Sequence, residues 1–315
     1  MEKPVKTLAD TWRQMEWERE KLFRTHGPFF HLHTPSKEDG VIFKTAQERS
    51  RAIVFIALSA EENGVVVLAY ALMSNHFHFI LRGSEPCCQA FYQGFRLRLG
   101  NYFSRHGRPG ENGCPRTEIT PITTLKQFRN EVVYVIRNPF VVRRDINPLA
   151  YPWTTGFLYF NPLLRFVHPV PVETLYIRQQ RELLSSKDLR IPKGLSTVDG
   201  DVYPASFVNY RLVESLFLDA RQFTMAMFKN VEAQVETALR LGERPSLTDE
   251  DLLPVAMRLC EELSGQNTLS ALTEAQKNDL ARRLKYDYHA SNKQVARFSG
   301  LPLARVNALF PLSAK

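Results

Sequence analysis

Cysteine is scarce, with four in 315 residues; Cys87 and Cys88 are adjacent, while Cys114 and Cys260 stand alone. That excludes a disulfide framework and leaves no CxxC pair for structural zinc, so the thiols read as reduced. Long apolar runs are also missing. The longest, Gly64 to Met73, falls far short of the ~18 residues needed to cross a bilayer, so no membrane partner is expected. The opening segment, MEKPVKTLADTWRQMEWERE, is charged and has no apolar signal core. A cytoplasmic location is therefore expected. No internal repeat is visible, and 44% hydrophobic with 23% charged residues is ordinary globular composition rather than that of a disordered chain.

Acidic residues are in deficit: 33 against 41 Lys and Arg, for a net charge of +8. A polyanionic partner fits that balance. Residues 1–160 hold 21 basic and 15 acidic side chains and residues 281–315 hold 7 and 1, whereas the stretch between holds 13 and 17. Two basic ends around an acidic middle suggest two polyanion-facing modules and a spacer, although surface charge also varies by chance.

Hydrophobic patterning supports that division. Pro28 to Thr34 and Gly40 to Phe43 read as strands and Lys44 to Asn63 as a helix. Gly64 to Met73 and His76 to Arg82 read as a hairpin. Pro86 to Arg105 and Leu125 to Arg137 read as helices, the latter stopped by Asn138-Pro139. This order predicts an α+β fold with helices on an antiparallel sheet. Beyond it, Pro152, Pro162, Pro169, Pro171 and Pro192 punctuate what reads as a connector over 161–200. Helical spacing returns over Ser206 to Phe217, Ala220 to Leu241, Thr248 to Leu263 and Thr273 to Tyr288. The expected organisation is a domain over 1–160, the connector, and a helical domain over 201–315.

His76-Phe77-His78 is the sharpest chemical feature. Strand residues i and i+2 share a face, so both imidazoles project together while Phe77 and Phe79 enter a core. Such a pair can chelate a divalent ion, leaving positions for an oxygen ligand and a substrate. It is equally what two solvated or hydrogen-bonded histidines look like, and His31-Leu32-His33 repeats the pattern. Tyr134 and Asn138 lie four apart, on one helical face. A phenol ordinarily titrates near pH ~10 and attacks a phosphodiester only when a cation offsets the developing charge. Taken alone, Tyr134 would also suit a core position.

These segments resemble a known family. Met73-Ser74-Asn75-His76-Phe77-His78-Phe79-Ile80-Leu81 is similar to the MxNHxHLLL signature of HUH single-strand endonucleases. Tyr134-Val135-Ile136-Arg137-Asn138-Pro139-Phe140-Val141-Val142-Arg143 is similar to the YIHxNPVRAGL segment of REP-associated tyrosine transposases, and Tyr151-Pro152-Trp153-Thr154-Thr155-Gly156 resembles their YPWSS segment. The resemblance covers residues 25–160. It implies a ferredoxin-like antiparallel sheet, His76, His78 and Asn138 as ligands of Mg²⁺ or Mn²⁺, and Tyr134 as nucleophile on single-stranded, hairpin-forming DNA. The product would be a 5′-phosphotyrosine and a free 3′-hydroxyl. For His31 and His33 it implies DNA contact or packing rather than metal binding. The family's motif differs at Arg137, and the loop HGRPGENGCPRTEI lacks its aromatic and basic character.

Two sets of residues are DNA-contact candidates. Arg96, Arg98, Arg105 and Arg108 are interleaved with Tyr92, Phe95, Tyr102 and Phe103, the arginines expected mostly exposed and the rings mostly buried. Near the C-terminus, SNKQVARFSGLPLARVNALF (Ser291 to Phe310) reads as a helix-turn-helix within about 272–312, with a Ser291/Gln294 capping box, a turn at Gly300, and Pro302 opening a helix. There Arg282, Arg283, Lys293 and Arg305 would meet phosphate, with Arg305 and Asn307 reaching bases of a duplex. The expectation is a nucleoid-associated transposase, monomeric or homodimeric. Rival readings are a non-catalytic, sequence-specific DNA-binding regulator and a metal phosphoesterase acting without a tyrosine adduct.

Overall fold

A computed structural model describes residues 8–34, 41–108, 117–142, 147–186, 189–229, 231–242, 247 and 249–311. Helix α1 (Leu8–His26) leads into β1 (Phe29–His33), α2 (Ala46–Glu62), β2 (Val66–Leu72), β3 (Phe77–Arg82), α3 (Glu85–Arg105), β4 (Glu118–Ile122) and α4 (Leu125–Val142). The four strands form an antiparallel sheet in the order β2-β3-β1-β4. From β1 to β4 this is the ferredoxin-like topology.

Side-chain alternation divides the sheet into two unlike faces. Phe30 and Leu32 of β1 and Phe77, Phe79 and Leu81 of β3 join α2 and α3 in one core. There Phe77 and Phe79 meet Phe95 and Phe91 edge to face. Phe29 points the other way, stacked on Phe23 of α1 and tilted against Phe128 of α4. His31, His33 and His78 share that second face. Helix α2 starts where Thr45 and Glu48 form a capping box, which satisfies backbone donors that the first turn cannot.

Three local expectations are corrected. Residues 41–43 form no strand; instead the Ile42 and Phe43 N–H groups donate to Ser74 O at 2.7 and 3.0 Å. Strand β4 was not anticipated, because Glu118–Ile122 contains Pro121 and is mostly unburied. Proline is tolerated there because an edge strand can spare a donor. Helix α4 does not stop at Asn138 but continues through Pro139 to Val142. A proline removes a single backbone donor, and the buried contacts of this helix outweigh that loss near its end.

The Pro-rich segment is not a connector between compact bodies. It carries β5 (Val170–Pro171), α5 (Ile177–Leu184), β6 (Ser196–Val198) and β7 (Asp201–Val202), the strands pairing as β5-β6-β7. Val172, Leu183, Leu184, Leu195 and Val202 belong to the same core as α2 and α3. Enough apolar residues lie between the prolines to bury the segment, and its helix α5 falls in a stretch that contains none of them. Accordingly one compact unit comprises Met1–Phe140 with Asp145–Thr224, and a second comprises Val141–Arg144 with Met225–Lys315. The first also holds α6 (Tyr210–Leu216), and α7 (Ala220–Lys229) runs across the division.

The second unit contains α8 (Val231–Arg240), α9 (Asp249–Ser264), α10 (Glu274–Tyr286), α11 (Asn292–Ser299) and α12 (Leu303–Leu309). Leu252, Leu280, Leu284, Val295 and Val306 lie in its core. Helix α11 begins at the Ser291/Gln294 capping box and ends at Gly300, whose φ of 69° favours glycine. Pro302 is the N-cap of α12 rather than its first residue.

The segment 151–156 closes the open edge of β2. Leu72 N–H donates to Trp153 O at 2.9 Å and Thr155 N–H to Tyr70 O at 3.1 Å, so this edge is not left as a template for foreign strands. Gly156 follows at a point of close approach: a Cβ there would lie 2.6 Å from Pro148 O and 2.8 Å from Ile136 Cγ2 of α4. Gly156→Ala is expected to destabilise the chain by about 1–3 kcal/mol, read as a lowered urea midpoint; an unchanged midpoint would show that the contact yields without cost.

Candidate active site

Helix α4 crosses the histidine face of the sheet. Phe128, Glu131, Tyr134 and Asn138 recur at three- and four-residue spacing and so form one stripe. Phe128 packs on Phe29 of β1, and the three polar members meet the histidines. Strand register supplies the other half: His33 lies opposite His78 and His31 opposite Ile80. His31 and His78 are 0% exposed and His76 is 6% exposed.

The closest convergence is at Asn138. His76 Nε2 lies 3.0 Å from Asn138 Oδ1, and Asn138 Nδ2 lies 3.1 Å from His78 Nε2. One amide thus spans the outer nitrogens of both imidazoles. The Tyr134 ring stands perpendicular to His78, with centroids 5.8 Å apart. Behind His78, its Nδ1 is 3.1 Å from His31 Nε2, and His31 Nδ1 is 3.0 Å from Glu131 Oε2. Glu131 is fully buried.

His76 is flanked by two amide oxygens: Asn75 Oδ1 is 2.7 Å from Nδ1 and Asn138 Oδ1 is 3.0 Å from Nε2. A neutral imidazole carries one hydrogen and can donate to only one of them. Burial lowers the His76 pKa, partly offset by the Asn138 contact, so the doubly donating imidazolium is disfavoured. With the amides oriented as they are, an Nδ1–H given to Asn75 leaves a lone pair on Nε2 facing a carbonyl oxygen. In the other tautomer Nε2–H donates to Asn138 Oδ1; in this one the ring nitrogen and the amide oxygen together could hold a cation. Among the described residues no group of three His, Cys, Asp or Glu side chains is arranged to hold a metal ion. The set formed by His76, His78 and Asn138 differs in using an amide oxygen, and such few donors leave coordination positions for water or a phosphate oxygen.

Other predicted contacts lie elsewhere. Arg96, Arg98 and Arg105 belong to α3, across the sheet from the histidines. Arg96 and Arg105 are exposed and Tyr92, Phe95, Tyr102 and Phe103 buried, as their pattern suggests. Arg98 Nη2 bonds Glu62 at 2.8 Å. Arg108 Nη1 bonds Glu48 at 2.9 Å and Ile42 O at 3.2 Å, and its guanidinium lies over Phe103. Those contacts make Arg108 a strut between chain segments. In the second unit Arg282 and Lys293 are exposed. Arg283 bridges Glu262 and Asp279 at 3.1 and 3.2 Å, Arg305 bonds Glu274 at 2.7 Å, and Asn307 Oδ1 accepts from Asn292 Nδ2 at 3.0 Å. Arg143 and most of the loop at 106–119 lie outside the described residues.

No family model matches the chain, and no curated protein matches it. Among solved structures, a REP-associated tyrosine transposase bound to a REP hairpin is similar. The two share 16% identity and a TM-score of 0.33, over 46% of this chain and 83% of that one. Similarity of this extent leaves the roles of residues to the chain's own geometry. Glu131, Asn75 and the inward role of His31 were not legible from the motifs. The signal for Glu131 was a lone carboxylate three residues before Tyr134 on an apolar helix face.

Burial, then the neighbouring His76, His31 and His33, holds the His78 pKa well below its ordinary value. The folded chain therefore keeps His78 neutral while the unfolded chain takes up a proton below about pH 6.5. Its contribution to stability is complete above that pH and is lost as the pH falls toward the lower folded value. Metal-free protein should lose thermal stability on acidification through this window, and His78→Gln should flatten the dependence; equal slopes would contradict the assignment.

Proposed function

We propose that this chain is a metal-dependent transposase that cuts and rejoins single-stranded DNA through Tyr134. The observation carrying this reading is the Asn138 amide spanning the Nε2 atoms of His76 and His78, with Tyr134 one helical turn away against His78. His76 Nε2, His78 Nε2 and Asn138 Oδ1 would hold Mg²⁺ or Mn²⁺. Only the oxygen of that amide can ligate, so coordination replaces the hydrogen bond from Nδ2 to His78. When bound, the ion polarises the scissile phosphate and offsets charge developing on its oxygens.

Tyr134 Oη forms a bond to phosphorus as the P–O3′ bond breaks. The phenolic proton passes to solvent and the departing 3′ oxygen takes up another, leaving a 3′-hydroxyl and a 5′-phosphotyrosine. One phosphodiester is exchanged for another ester of similar kind, so attack by a second 3′-hydroxyl reverses the step without ATP. Helix α4 carries both the nucleophile and a ligand, so their separation is fixed by helical geometry rather than by loop closure. The proposed substrate is hairpin-forming, the class of DNA bound in the similar solved structure. Exposed Arg282 and Lys293, with Arg305 and Asn307 of α12, are proposed as a separate duplex-contacting surface.

The test uses a pool of single-stranded hairpin oligonucleotides with Mn²⁺. Wild-type protein should give a covalent protein–DNA adduct and a 3′-hydroxyl fragment; chelator should abolish both, and Tyr134→Phe should reduce them by at least the ~10³-fold typical of losing an essential group. Cleavage unaffected by Tyr134→Phe would remove the nucleophile assignment. Hydrolysis without an adduct would favour a phosphoesterase, and tight duplex binding indifferent to chelator, with no cleavage, would favour a regulator.

A further inference from the structure

We infer that Glu131 and His31 are positioning residues that fix His78 in the tautomer presenting its Nε2 lone pair to the site. The inference rests on the metal-site reading above and adds residues that the HxH motif does not contain.

A carboxylate has no hydrogen to donate, so at 3.0 Å from Glu131 Oε2 it is His31 Nδ1 that carries the hydrogen. With one hydrogen on the His31 ring, its other nitrogen, Nε2, is then an acceptor. It faces His78 Nδ1 at 3.1 Å, so His78 Nδ1 carries the next hydrogen. That leaves the lone pair of His78 on Nε2, where Asn138 Nδ2 donates to it at 3.1 Å. The hydrogen placement is passed through two rings from one carboxylate. All three side chains are 0% exposed, so water does not compete for these bonds.

The chain of contacts spans three elements: Glu131 on α4, His31 on β1 and His78 on β3. It leaves α4 and returns to it, because Asn138 is on the same helix two turns after Glu131. The carboxylate lies behind His31, and the His31 nitrogen that accepts from the rear of His78 raises the basicity of the nitrogen that would bind a cation. A reversed chain, with a protonated carboxyl donating to His31, would place hydrogen on His78 Nε2 and block coordination. The two arrangements have the same heavy-atom positions but opposite tautomers, so they can be told apart directly.

The experiment has two arms on the full-length protein. In metal-free wild type labelled with ¹⁵N-histidine, His78, assigned by loss of its signals in His78→Gln, should show a protonated Nδ1 and a pyridine-like Nε2. Protonated Nε2 would overturn the inference whether or not metal binds, and this arm requires no variant at positions 31 or 131. In the second arm Mn²⁺ binding is measured by calorimetry. Wild type should bind, His76→Ala should abolish binding, and Glu131→Gln should weaken it by about tenfold or more with the far-ultraviolet spectrum retained. Binding lost in His76→Ala but within about twofold of wild type in Glu131→Gln would overturn the relay and leave the metal site standing. No His76-dependent binding in wild type would remove the metal site, and the relay's purpose with it.

Discussion

The contact between Asn138 and the two imidazoles joins helix α4 to β3 and the residue before it through polar atoms in a buried layer, and several parts of the fold hold it in place. Helix α4 is aligned by Phe128 on Phe29 near one end and by Asn138 on His76 and His78 near the other. Residues 151–156 seal the edge of β2, and Gly156 lets the chain approach α4 at Ile136. Burying amide, imidazole and carboxylate groups costs several kcal/mol each unless every one is hydrogen-bonded. The position of α4 is consequently set twice, by shape at the phenylalanines and by directional bonding at the amide.

What the sequence made legible follows from how local each signal is. His31 and His33 share a face of β1 as their period-two spacing requires, Tyr134 and Asn138 share a helix face, and His76, expected in the strand, stands one residue before β3 with its ring beside His78. The register opposing His33 and His78 depends on pairing between residues 45 positions apart in the chain, which no local pattern encodes. The same holds for Glu131: its spacing from Tyr134 is readable, but its partner on β1 is known only once the sheet is assembled. Pro139 misled because local sterics predict a helix end, whereas the contact of Asn138 is a tertiary one. β4 was missed because an edge strand lacks the double-sided burial that writes an apolar run into sequence. Prolines likewise hid the small β5-β6-β7 sheet.

The basic residues show why a net charge is weak guidance to function. Arg108 and Arg98 count equally with Arg96 and Arg105 in the +8 balance, yet the first two bond Glu48 and Glu62. A half-buried guanidinium that bridges backbone carbonyls and a carboxylate contributes to folding, and withdrawing it to meet phosphate would leave Glu48 without that partner. In the second unit Arg283 and Arg305 are similarly engaged with acidic neighbours, though at more exposed positions where such pairs are worth only about 0–1 kcal/mol. Those pairs can be exchanged for phosphate contacts at little cost. The distinction is burial, which composition does not report.

The polar chain from Glu131 to Asn138 also differs from what packing alone would place between a helix and a sheet. Replacing a buried ionic or polar cluster by well-packed apolar residues is often neutral, or stabilising by about 1–4 kcal/mol. A scaffold needed only to present a basic surface would be at least as stable with leucine and phenylalanine between α4 and the sheet, as it already has on the α2 and α3 side. Instead the inner layer holds three fully buried histidines and a fully buried glutamate, with one amide, that of Asn138, meeting the Nε2 atoms of both His76 and His78. Packing accounts for aromatic rings in such a layer but not for their directed nitrogens. The metal site proposed above would account for both.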